Sequence, residues 1–546
     1  MLNQLAGVEI LYWTVIVIYL AFLAIAGWLA KKKTKTLKDY MVAGRKIGPL
    51  LLGLSFGVTY FSAVLIVGGG QFAWNWGLSV IWIATIDVLI GVFIIFVLFG
   101  PKTKALGEHF DSLTVPQLLS KRYQDPKIQT FSSVVILFFE TVYLVSIFMG
   151  LSILLSVTFP GNPYAYIVAV TICAVITIFY LNVGGAHGAI WTDAVESVIM
   201  LVGVSLIFFF ALYAVGGFDS LLGTLGNIER SEGLKPGSLK VFPGAGGFGV
   251  IGYILVTSFG VWGMPQMISR FYTAEKQKSI RWGLVIVCIW AFIIALFAWF
   301  NGVLARAYFW EHDKSTYNAI ADAKGETAVP MLMIAVLPPI LVAIFLAAVL
   351  AASLTTGEKV IMVAASGFSI DVYQVKTGAS DDKTLHMTKI ATTVLVVIAA
   401  ILALLKPAMV LALCMFAWSA MAAVILIPYV FGLVWKGGTK KAVMWSGAVS
   451  LLSAILWFIL FRPDAPTAWG AFGLTYPKAL RDIAALRIIP TPWFVISIGS
   501  IHEFIISQLI AIIAFPIISL LTRGSKPSKE FLNEIFGVMK KAKTEE

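Results

Sequence analysis

The chain has 546 residues, of which 59% are hydrophobic and only 12% charged, and its formal net charge is +12. A soluble domain is about 45–50% apolar and about 25% charged, so this composition excludes a soluble architecture. The basic residues are scattered among short loops instead of forming one patch, which argues against a nucleic-acid partner and leaves a protein that crosses the lipid bilayer many times.

Long apolar runs recur along the chain and predict about thirteen transmembrane helices. Charged residues, glycine or proline bound each run, and a run of about 20 residues suffices to cross a bilayer. The ninth run is too long for one simple span, so we expect it to tilt or to extend beyond the bilayer. The predicted spans are 8–30, 48–71, 77–100, 128–158, 163–183, 188–216, 248–269, 282–305, 329–366, 388–405, 408–435, 442–461 and 494–522.

The connecting segments predict the orientation in the membrane. An N-terminus outside the cell places about 28 Lys and Arg residues on the cytoplasmic side and about 11 outside, in the sense of the positive-inside rule. The first apolar run has no basic residues before it and no small-residue cleavage pattern, so we expect a retained helix and not a signal peptide. We therefore predict a multi-pass protein of the plasma membrane with a cytoplasmic C-terminus.

The tetrapeptide SFGV occurs twice, at residues 55–58 and 258–261. These copies lie in the second and seventh predicted helices, which cross the membrane in opposite directions. That relation is typical of two inverted five-helix repeats, in which the first helix of each repeat is interrupted near mid-membrane. A chance match of four residues and close helix packing through small residues are the alternative explanations.

Five stretches carry a resemblance to a known family. They are KDYMVAGRKIG (38–48), LTVPQLLSKRY (113–123), NVGGAHGAIWTDAVESVIM (182–200), GMPQMISRFYTAE (263–275) and FAWSAMAAVILIPYVFGLVW (416–435). Their sequences and order resemble the motifs of the sodium:solute symporter family, although the Gln and Pro of the fourth stretch depart from the family's order. The resemblance implies an all-α, leucine-transporter-like core of five plus five helices with extra helices around it.

This resemblance divides the chain into six predicted segments. They are the first helix and basic loop (1–47), the first repeat (48–217), an extracellular loop (218–247), the second repeat (248–436), two peripheral helices with an extracellular loop (437–523) and a basic cytoplasmic tail (524–546).

The resemblance also implies a main sodium site. Its ligands would be the carbonyl groups of Val58, Phe61 and Ala352 and the hydroxyl groups of Thr355 and Thr356. Carbonyl and hydroxyl oxygens suit a hard cation because they replace its hydration shell without adding charge. Hydrogen bonds from the two threonines to the preceding helical turn are the alternative.

A second ion site of the family would use Asp193, but this chain departs from the family's pattern there. Glu358 and Lys359 occupy the positions where hydroxyl ligands are expected. Because an unpaired charge inside a membrane is costly, we expect the Lys359 ammonium to pair with Asp193 or Glu358 and to replace a second sodium ion. The alternative is that helix 9 has reached the interface and both side chains extend into water.

The resemblance implies a solute cavity between helices 2 and 7, with contributions from helices 3 and 11. The candidate residues are Tyr60, Ser62, Ala63, Asp87, Thr257, Val261, Met264 and Trp418. Asp87 and Glu140 are further acids within predicted spans: either could bind a cationic group, carry a proton or be structural, and for Glu140 we favour a structural role. The predicted cavity has few amide or acid side chains for sugar hydroxyls, which favours a small acid or amino acid.

These observations predict a sodium-coupled symporter for a small organic solute, an amino acid such as proline or a carboxylate such as pantothenate, acting as a monomer. Coupling to protons and a sugar substrate are the nearest alternatives. An enzyme is disfavoured because no metalloprotease, phosphate-loop or nucleophile-elbow motif is present. A channel would need a filter segment, and a transporter-like sensor would need an attached signalling domain.

Overall fold

The computed structural model describes residues 10–19, 37–158, 164–490 and 495–544, together with residues 8, 21, 25 and 162. For 179–191, for 348, 351, 352 and 355, and for a few residues at segment ends, it describes only the backbone. The described chain is almost entirely helical, as the composition predicts, and its strands form a small antiparallel hairpin.

Some helices are short and are joined by irregular turns, whereas others are long and uninterrupted. Those of the first half are α1 (Ile10–Tyr19), α2 (Leu37–Val42), α3 (Pro49–Tyr60), α4 (Gly70–Trp76), α5 (Ile81–Ile86), α6 (Gly100–His109), α7 (Val115–Tyr123), α8 (Pro126–Thr158), α9 (Ala165–Ala214) and α10 (Gly217–Ser231). Between α3 and α6, π-helical or 3₁₀ turns at Val64–Gly69, Gly77–Val80, Asp87–Val92 and Ile95–Phe99 join the helical segments.

The second half continues the same pattern and contains the hairpin. Its helices are α11 (Gly247–Gly260), α12 (Pro265–Ile268), α13 (Arg270–Thr273), α14 (Gln277–His312), α15 (Lys314–Asp322), α16 (Ala328–Val336), α17 (Pro339–Ser366), α18 (Val375–Thr377), α19 (Asp381–Leu405), α20 (Val410–Val434), α21 (Lys440–Phe461), α22 (Ala465–Ala471), α23 (Lys478–Ala485), α24 (Glu503–Leu521) and α25 (Lys529–Thr544). The strands β1 (Arg487–Pro490) and β2 (Val495–Ser497) lie between α23 and α24.

The surface of the described chain is that of a membrane protein. Nine helical stretches among the described residues are long and apolar enough to cross a bilayer, and α1, α3 and the first part of α9 are shorter apolar helices. Large apolar side chains such as Trp82, Phe138 and Ile401 are exposed on the outside. Exposed apolar surface on this scale is explained by contact with lipid.

The centre of the fold is built around α20, which is apolar on every side and buried along its length. A helix that is hydrophobic all round is stable only when it is enclosed. It packs against α8, α21 and α24, while α17 packs against α8 and α9, and α3 packs against α14 and α9. These helices position the residues discussed below.

Two predicted boundaries are wrong. The ninth predicted span is divided into α16 and α17, because Leu337 is extended and Pro338 and Pro339 lack the N–H groups that would continue the helix. The fifth and sixth predicted spans form one continuous helix, α9, which no proline or charged residue interrupts between 183 and 188. The count of thirteen crossings and the six-segment division stay predictions.

Candidate functional site

Two helices that begin the predicted repeats are broken, as the sequence predicts. After α3 ends at Tyr60, Phe61 is extended, with φ −110° and ψ 125°. After α11 and the 3₁₀ turn Val261–Gly263, Met264 is extended, with φ −85° and ψ 116°. Such breaks release backbone carbonyl and amide groups from helical pairing at a depth where water does not solvate them. These groups must therefore bind side chains, ions or solute.

The polar side chains of α17 meet the first break. Thr356 Oγ1 donates a hydrogen bond of 2.9 Å to the carbonyl oxygen of Val58. Ser353 Oγ accepts one of 3.1 Å from the amide of Ala63. From Ser353 to Thr356 the residue numbers of α17 rise, while those of their partners fall from Ala63 to Val58. The two segments therefore run antiparallel, with their polar groups opposite one another.

Of the five predicted sodium ligands, the structure therefore brings two into direct contact. Val58 and Thr356 are completely buried, and Phe61, at the break itself, is also buried. Ala352 and Thr355 fall among the residues whose side chains lie outside the described part of the chain. Their roles, like the sodium site as a whole, stay predictions.

One turn further along α17, the contact with α3 is charged. Lys359 Nζ donates to Asp193 Oδ1 in a buried ion pair, and Ser55 Oγ of α3 donates to Asp193 Oδ2 at 2.5 Å. Lys359 is 1% exposed, so its side chain does not extend into water. Of the two partners expected for Lys359, the structure selects Asp193.

A second buried cation lies near this pair and was missed by the sequence reasoning. Arg270 of α13 is buried, and its charge interacts with those of Asp193 and Glu358. Both carboxylate oxygens of Glu358 are buried and have no hydrogen-bond partner among the described residues. The structure therefore assembles a cluster of opposite charges in which Glu358 is the least satisfied member.

A cavity of about 40 Å³ lies beside the first break and is bounded on another side by Thr257 of α11. A buried water needs about 10–15 Å³ by this measure, so the space holds about three waters. A larger solute requires the surrounding side chains to part. The lining residues are Tyr60, Phe61, Val64, Leu65, Ile83, Asp87, Tyr143, Thr257, Trp299, Leu411, Cys414, Met415 and Trp418.

The polar groups of the cavity are few and close together. Tyr60 Oη lies 2.5 Å from Asp87 Oδ1 and 3.0 Å from the carbonyl oxygen of Thr257. The indole Nε1 of Trp418 is buried without a hydrogen-bond partner among the described residues. Aromatic rings enclose these groups, with ring centroids 5.3 Å apart for Tyr60 and Trp418 and 5.9 Å apart for Tyr143 and Trp418.

Comparison with known proteins identifies the chain. The model of a family described as the sodium:solute symporter family matches residues 40–450, well over half of the sequence. The chain belongs to the sodium:solute symporter family. It is therefore a membrane transporter that couples solute movement to sodium, and not an enzyme.

Curated relatives agree with this assignment. The symporter is 26% identical over 447 residues to the osmoregulated proline transporter OpuE of Bacillus subtilis, covering 81% of this chain and 87% of the relative. It is 28% identical over 449 residues to the sodium/pantothenate symporter of Haemophilus influenzae, covering 81% of this chain and 89% of the relative.

Solved structures show the same fold. A sodium-coupled sialic acid symporter in a substrate-bound, outward-open state is similar with a TM-score of 0.70 at 17% identity, covering 94% of this chain and 98% of the other. A nucleobase-cation-symport-1 family transporter, MHP1, is similar with a TM-score of 0.51 at 11% identity, covering 91% of this chain and 98% of the other.

The symporter's predicted solute residues divide into two groups. Tyr60, Asp87, Thr257 and Trp418 line the cavity, at the predicted meeting point of helices 2, 3, 7 and 11. The other four candidates are buried but do not line the cavity: Ser62, Ala63, Val261 and Met264.

These four residues belong to the breaks themselves. Ser62 Oγ accepts a bond of 3.3 Å from the amide of Val64, Ala63 donates to Ser353, and Val261 and Met264 form the turn that interrupts the seventh predicted helix. Glu140 is buried outside the cavity lining, and its carboxylate has no hydrogen-bond partner among the described residues.

Several residues of the site were not predicted. Tyr143, Trp299 and Cys414 line the cavity, Ser353 binds the first break through the amide of Ala63, and Ser55 binds Asp193. Ser353 and Ser55 could have been found, because each lies three residues from a predicted sodium ligand and therefore on the same helical face. Tyr143, Trp299 and Cys414 are apolar or aromatic residues in apolar helices, and no sequence pattern separates them from the core.

Proposed function

We propose that the symporter imports a small organic solute, an amino acid such as proline or a carboxylate such as pantothenate, together with one sodium ion per cycle. The contact between the Thr356 hydroxyl and the Val58 carbonyl carries this proposal. Two uncharged oxygens meet at a helix break inside the protein, and both can turn to a hard cation. The relatives' names supply the two solute candidates.

The sodium site in this proposal comprises the carbonyl groups of Val58, Phe61 and Ala352 and the hydroxyl groups of Thr355 and Thr356. The solute occupies the adjoining cavity, with Tyr60, Asp87, Thr257 and Trp418 in contact with it. Ser62, Ala63, Val261 and Met264 hold the two breaks in the conformation that forms the cavity.

In this proposal the ammonium group of Lys359 takes the place of the second sodium ion. The ammonium of Lys359 lies against Asp193, and Ser55 donates a hydrogen bond to the other oxygen of this carboxylate. A mobile sodium ion would have to compete with this ammonium in a space that excludes water. We therefore expect one sodium ion per solute, with Asp193, Glu358 and Lys359 as structural charges near the ion path.

We further propose that the symporter works as a monomer in the plasma membrane, with its N-terminus outside and its C-terminus in the cytoplasm. The distribution of Lys and Arg among the connecting segments supports this orientation. Cysteine-accessibility labelling at each end, in intact cells and in opened membranes, tests it.

Uptake into proteoliposomes tests the coupling. The full chain is reconstituted, and sodium and proton gradients are imposed separately while uptake of amino acids, carboxylates and sugars is followed. We expect uptake only with an inward sodium gradient, and a sodium-to-solute ratio of one. Uptake driven by the proton gradient alone, or a ratio of two, would contradict the proposal.

Proton coupling is the second candidate function, and one observation favours it. Glu358 is buried with a carboxylate that has no hydrogen-bond partner among the described residues, so the group is well placed to hold a proton. A Glu358→Gln variant separates the two cases. This variant should retain uptake driven by a sodium gradient if sodium is the coupling ion. It should lose uptake driven by a proton gradient if Glu358 carries the coupling proton.

A further inference from the structure

We propose that the solute of the central cavity carries a positively charged nitrogen, which Asp87 and the surrounding aromatic rings bind. This inference rests on the proposed function and names the class of solute that the same cavity accepts. Amino acids, betaines and amines belong to this class. Simple carboxylates and sugars do not.

Asp87 is the reason for a positive charge. It is 4% exposed, and in the described part of the chain it receives a hydrogen bond from Tyr60 and makes no ion pair. A buried carboxylate with a single neutral partner lacks compensation for its lost hydration. Since it lines the cavity directly, a cation that enters the cavity supplies that compensation.

The hydrogen bonds around Tyr60 lead to the same conclusion. Its hydroxyl lies within hydrogen-bond distance of Asp87 Oδ1 and of the Thr257 carbonyl oxygen. A phenol has one hydrogen, so it can donate to only one of these two acceptors. The pair of acceptors therefore calls for a further donor, and an ammonium N–H in the cavity is such a donor.

The aromatic rings suit the same group. Tyr60, Tyr143 and Trp418 lie around one corner of the cavity, with Trp418 as a common neighbour. The faces of Trp and Tyr rings attract cationic nitrogen, most strongly when water is excluded. The alkyl groups of a secondary or quaternary ammonium also fit an apolar enclosure better than they fit water.

Nothing in the lining favours a lone anion. Of the described residues that line the cavity, none is Lys, Arg or His. The indole N–H of Trp418, which has no hydrogen-bond partner among the described residues, suits one oxygen of a zwitterion whose nitrogen lies at Asp87. A pure carboxylate would instead place a second negative charge near Asp87 in a mostly apolar cavity.

Matched pairs of solutes that differ only in the charged nitrogen test the inference. One pair is L-proline and tetrahydrofuroate, in which oxygen replaces the ring nitrogen. The other is glycine betaine and tert-butylacetate, in which carbon replaces it; pantothenate is the anionic reference. Binding to the purified full chain in sodium chloride is measured by competition and by thermal stabilisation.

We expect a nitrogen-bearing solute to bind at least tenfold more tightly than its isostere, and the difference to disappear in Asp87→Asn. Tyr60→Phe keeps the carboxylate and should keep the preference. Glu140→Gln is the matched control, because it neutralises another buried acid that does not line the cavity, and its selectivity should equal that of the unmodified protein.

Three results would overturn the inference: an isostere or pantothenate that binds as tightly as a nitrogen-bearing solute, a preference that survives in Asp87→Asn, or no binding by any nitrogen-bearing solute. If Asp87→Asn does not fold, the comparison of isosteres on the unmodified chain decides alone.

Sodium-driven uptake of pantothenate would overturn this inference and leave sodium-coupled import intact. Binding of a nitrogen-bearing solute that is indifferent to sodium would contradict the proposed coupling and leave the inference intact.

Discussion

Two contacts between α3 and α17 lie one helical turn apart and differ in chemistry. The neutral contact joins the Val58 carbonyl to the Thr356 hydroxyl. The charged contact joins Ser55 and Lys359 through Asp193. Both are buried, but the neutral contact can exchange its hydrogen bond for ion coordination, whereas the charged contact already contains its cation. The comparison shows how one pair of helices can hold a site for a mobile ion beside a fixed ion pair.

The two contacts should also respond differently to mutation. A buried ion pair adds little net stability when compared with an apolar replacement of the whole pair, but removal of one partner leaves a buried charge uncompensated. Removal of a neutral hydrogen bond costs less stability. If that hydrogen bond forms part of an ion site, its removal should impair transport more. Variants of α17 therefore separate structural from functional polar groups.

The largest expected effect comes from Lys359→Met. Methionine preserves the volume and removes the ammonium, so Asp193 is left buried with Ser55 and the more distant Arg270. We expect a loss of about 3–5 kcal/mol in the free energy of unfolding. Unfolding in mixed detergent micelles, followed by intrinsic tryptophan fluorescence, measures this loss.

The double variant Asp193→Asn with Lys359→Met is the control for that experiment. It removes both charges, and we expect it to recover most of the lost stability. If the double variant is as unstable as the single one, the ion pair is not the source of the effect. Packing of the lysine stem would then be the cause.

The next effect in size concerns sodium binding and comes from Thr356→Ala. Loss of the hydroxyl removes one of the proposed sodium ligands and the partner of the Val58 carbonyl. We expect the loss of a sodium-coordinating hydroxyl to cost about as much as the loss of a hydrogen bond to a charged group, about 1.5–3 kcal/mol, so the sodium concentration for half-maximal uptake should rise by about 10-fold to 150-fold. Uptake into proteoliposomes at varied sodium concentration measures it.

Thr171→Ala serves as the matched control for Thr356. Thr171 is exposed on α9, and its hydroxyl bonds to the carbonyl of Ile167 in its own helix. Its removal should leave the sodium dependence unchanged. Equal sodium curves for the Thr356 variant and the unmodified protein would remove Thr356 from the proposed site.

Much of the fold was predictable because its signals are local. Apolar runs, charged loops and the repeated SFGV segment predict membrane helices and the two interrupted ones, and the structure contains both interruptions. The predicted spans failed at Pro338, where two consecutive prolines were absorbed into one long apolar run, and across 184–187, where glycines were taken as a boundary. At Pro338 the helix ends although the run stays apolar, and across 184–187 the helix continues through the glycines. Hydropathy locates neither boundary, which depends on the geometry of the backbone.

The site was less predictable, because it depends on which helices meet. The partner of Lys359 was narrowed to two acids from the sequence, and only the packing of α17 against α9 and α3 selects Asp193. Arg270 belongs to a predicted motif, but nothing in the sequence places it near Glu358. Tyr143 and Trp299 lie far from the other cavity residues in sequence and carry no distinguishing pattern.

The smallest expected effect comes from Ser353→Ala, which extends the comparison to the turn of α17 that precedes Thr356. Ser353 accepts a bond from the Ala63 amide beyond the break, so its loss leaves one buried N–H without a partner. We expect stability to fall by about 1 kcal/mol, with a change in sodium dependence well below that of Thr356→Ala, because Ser353 is not among the proposed ligands.

Ser453→Ala is the control, since that hydroxyl bonds within α21 to Ser450. A sodium defect as large as that of Thr356→Ala would mean that the ion lies closer to Ser353 than proposed, and that the neutral contact extends over two turns of α17.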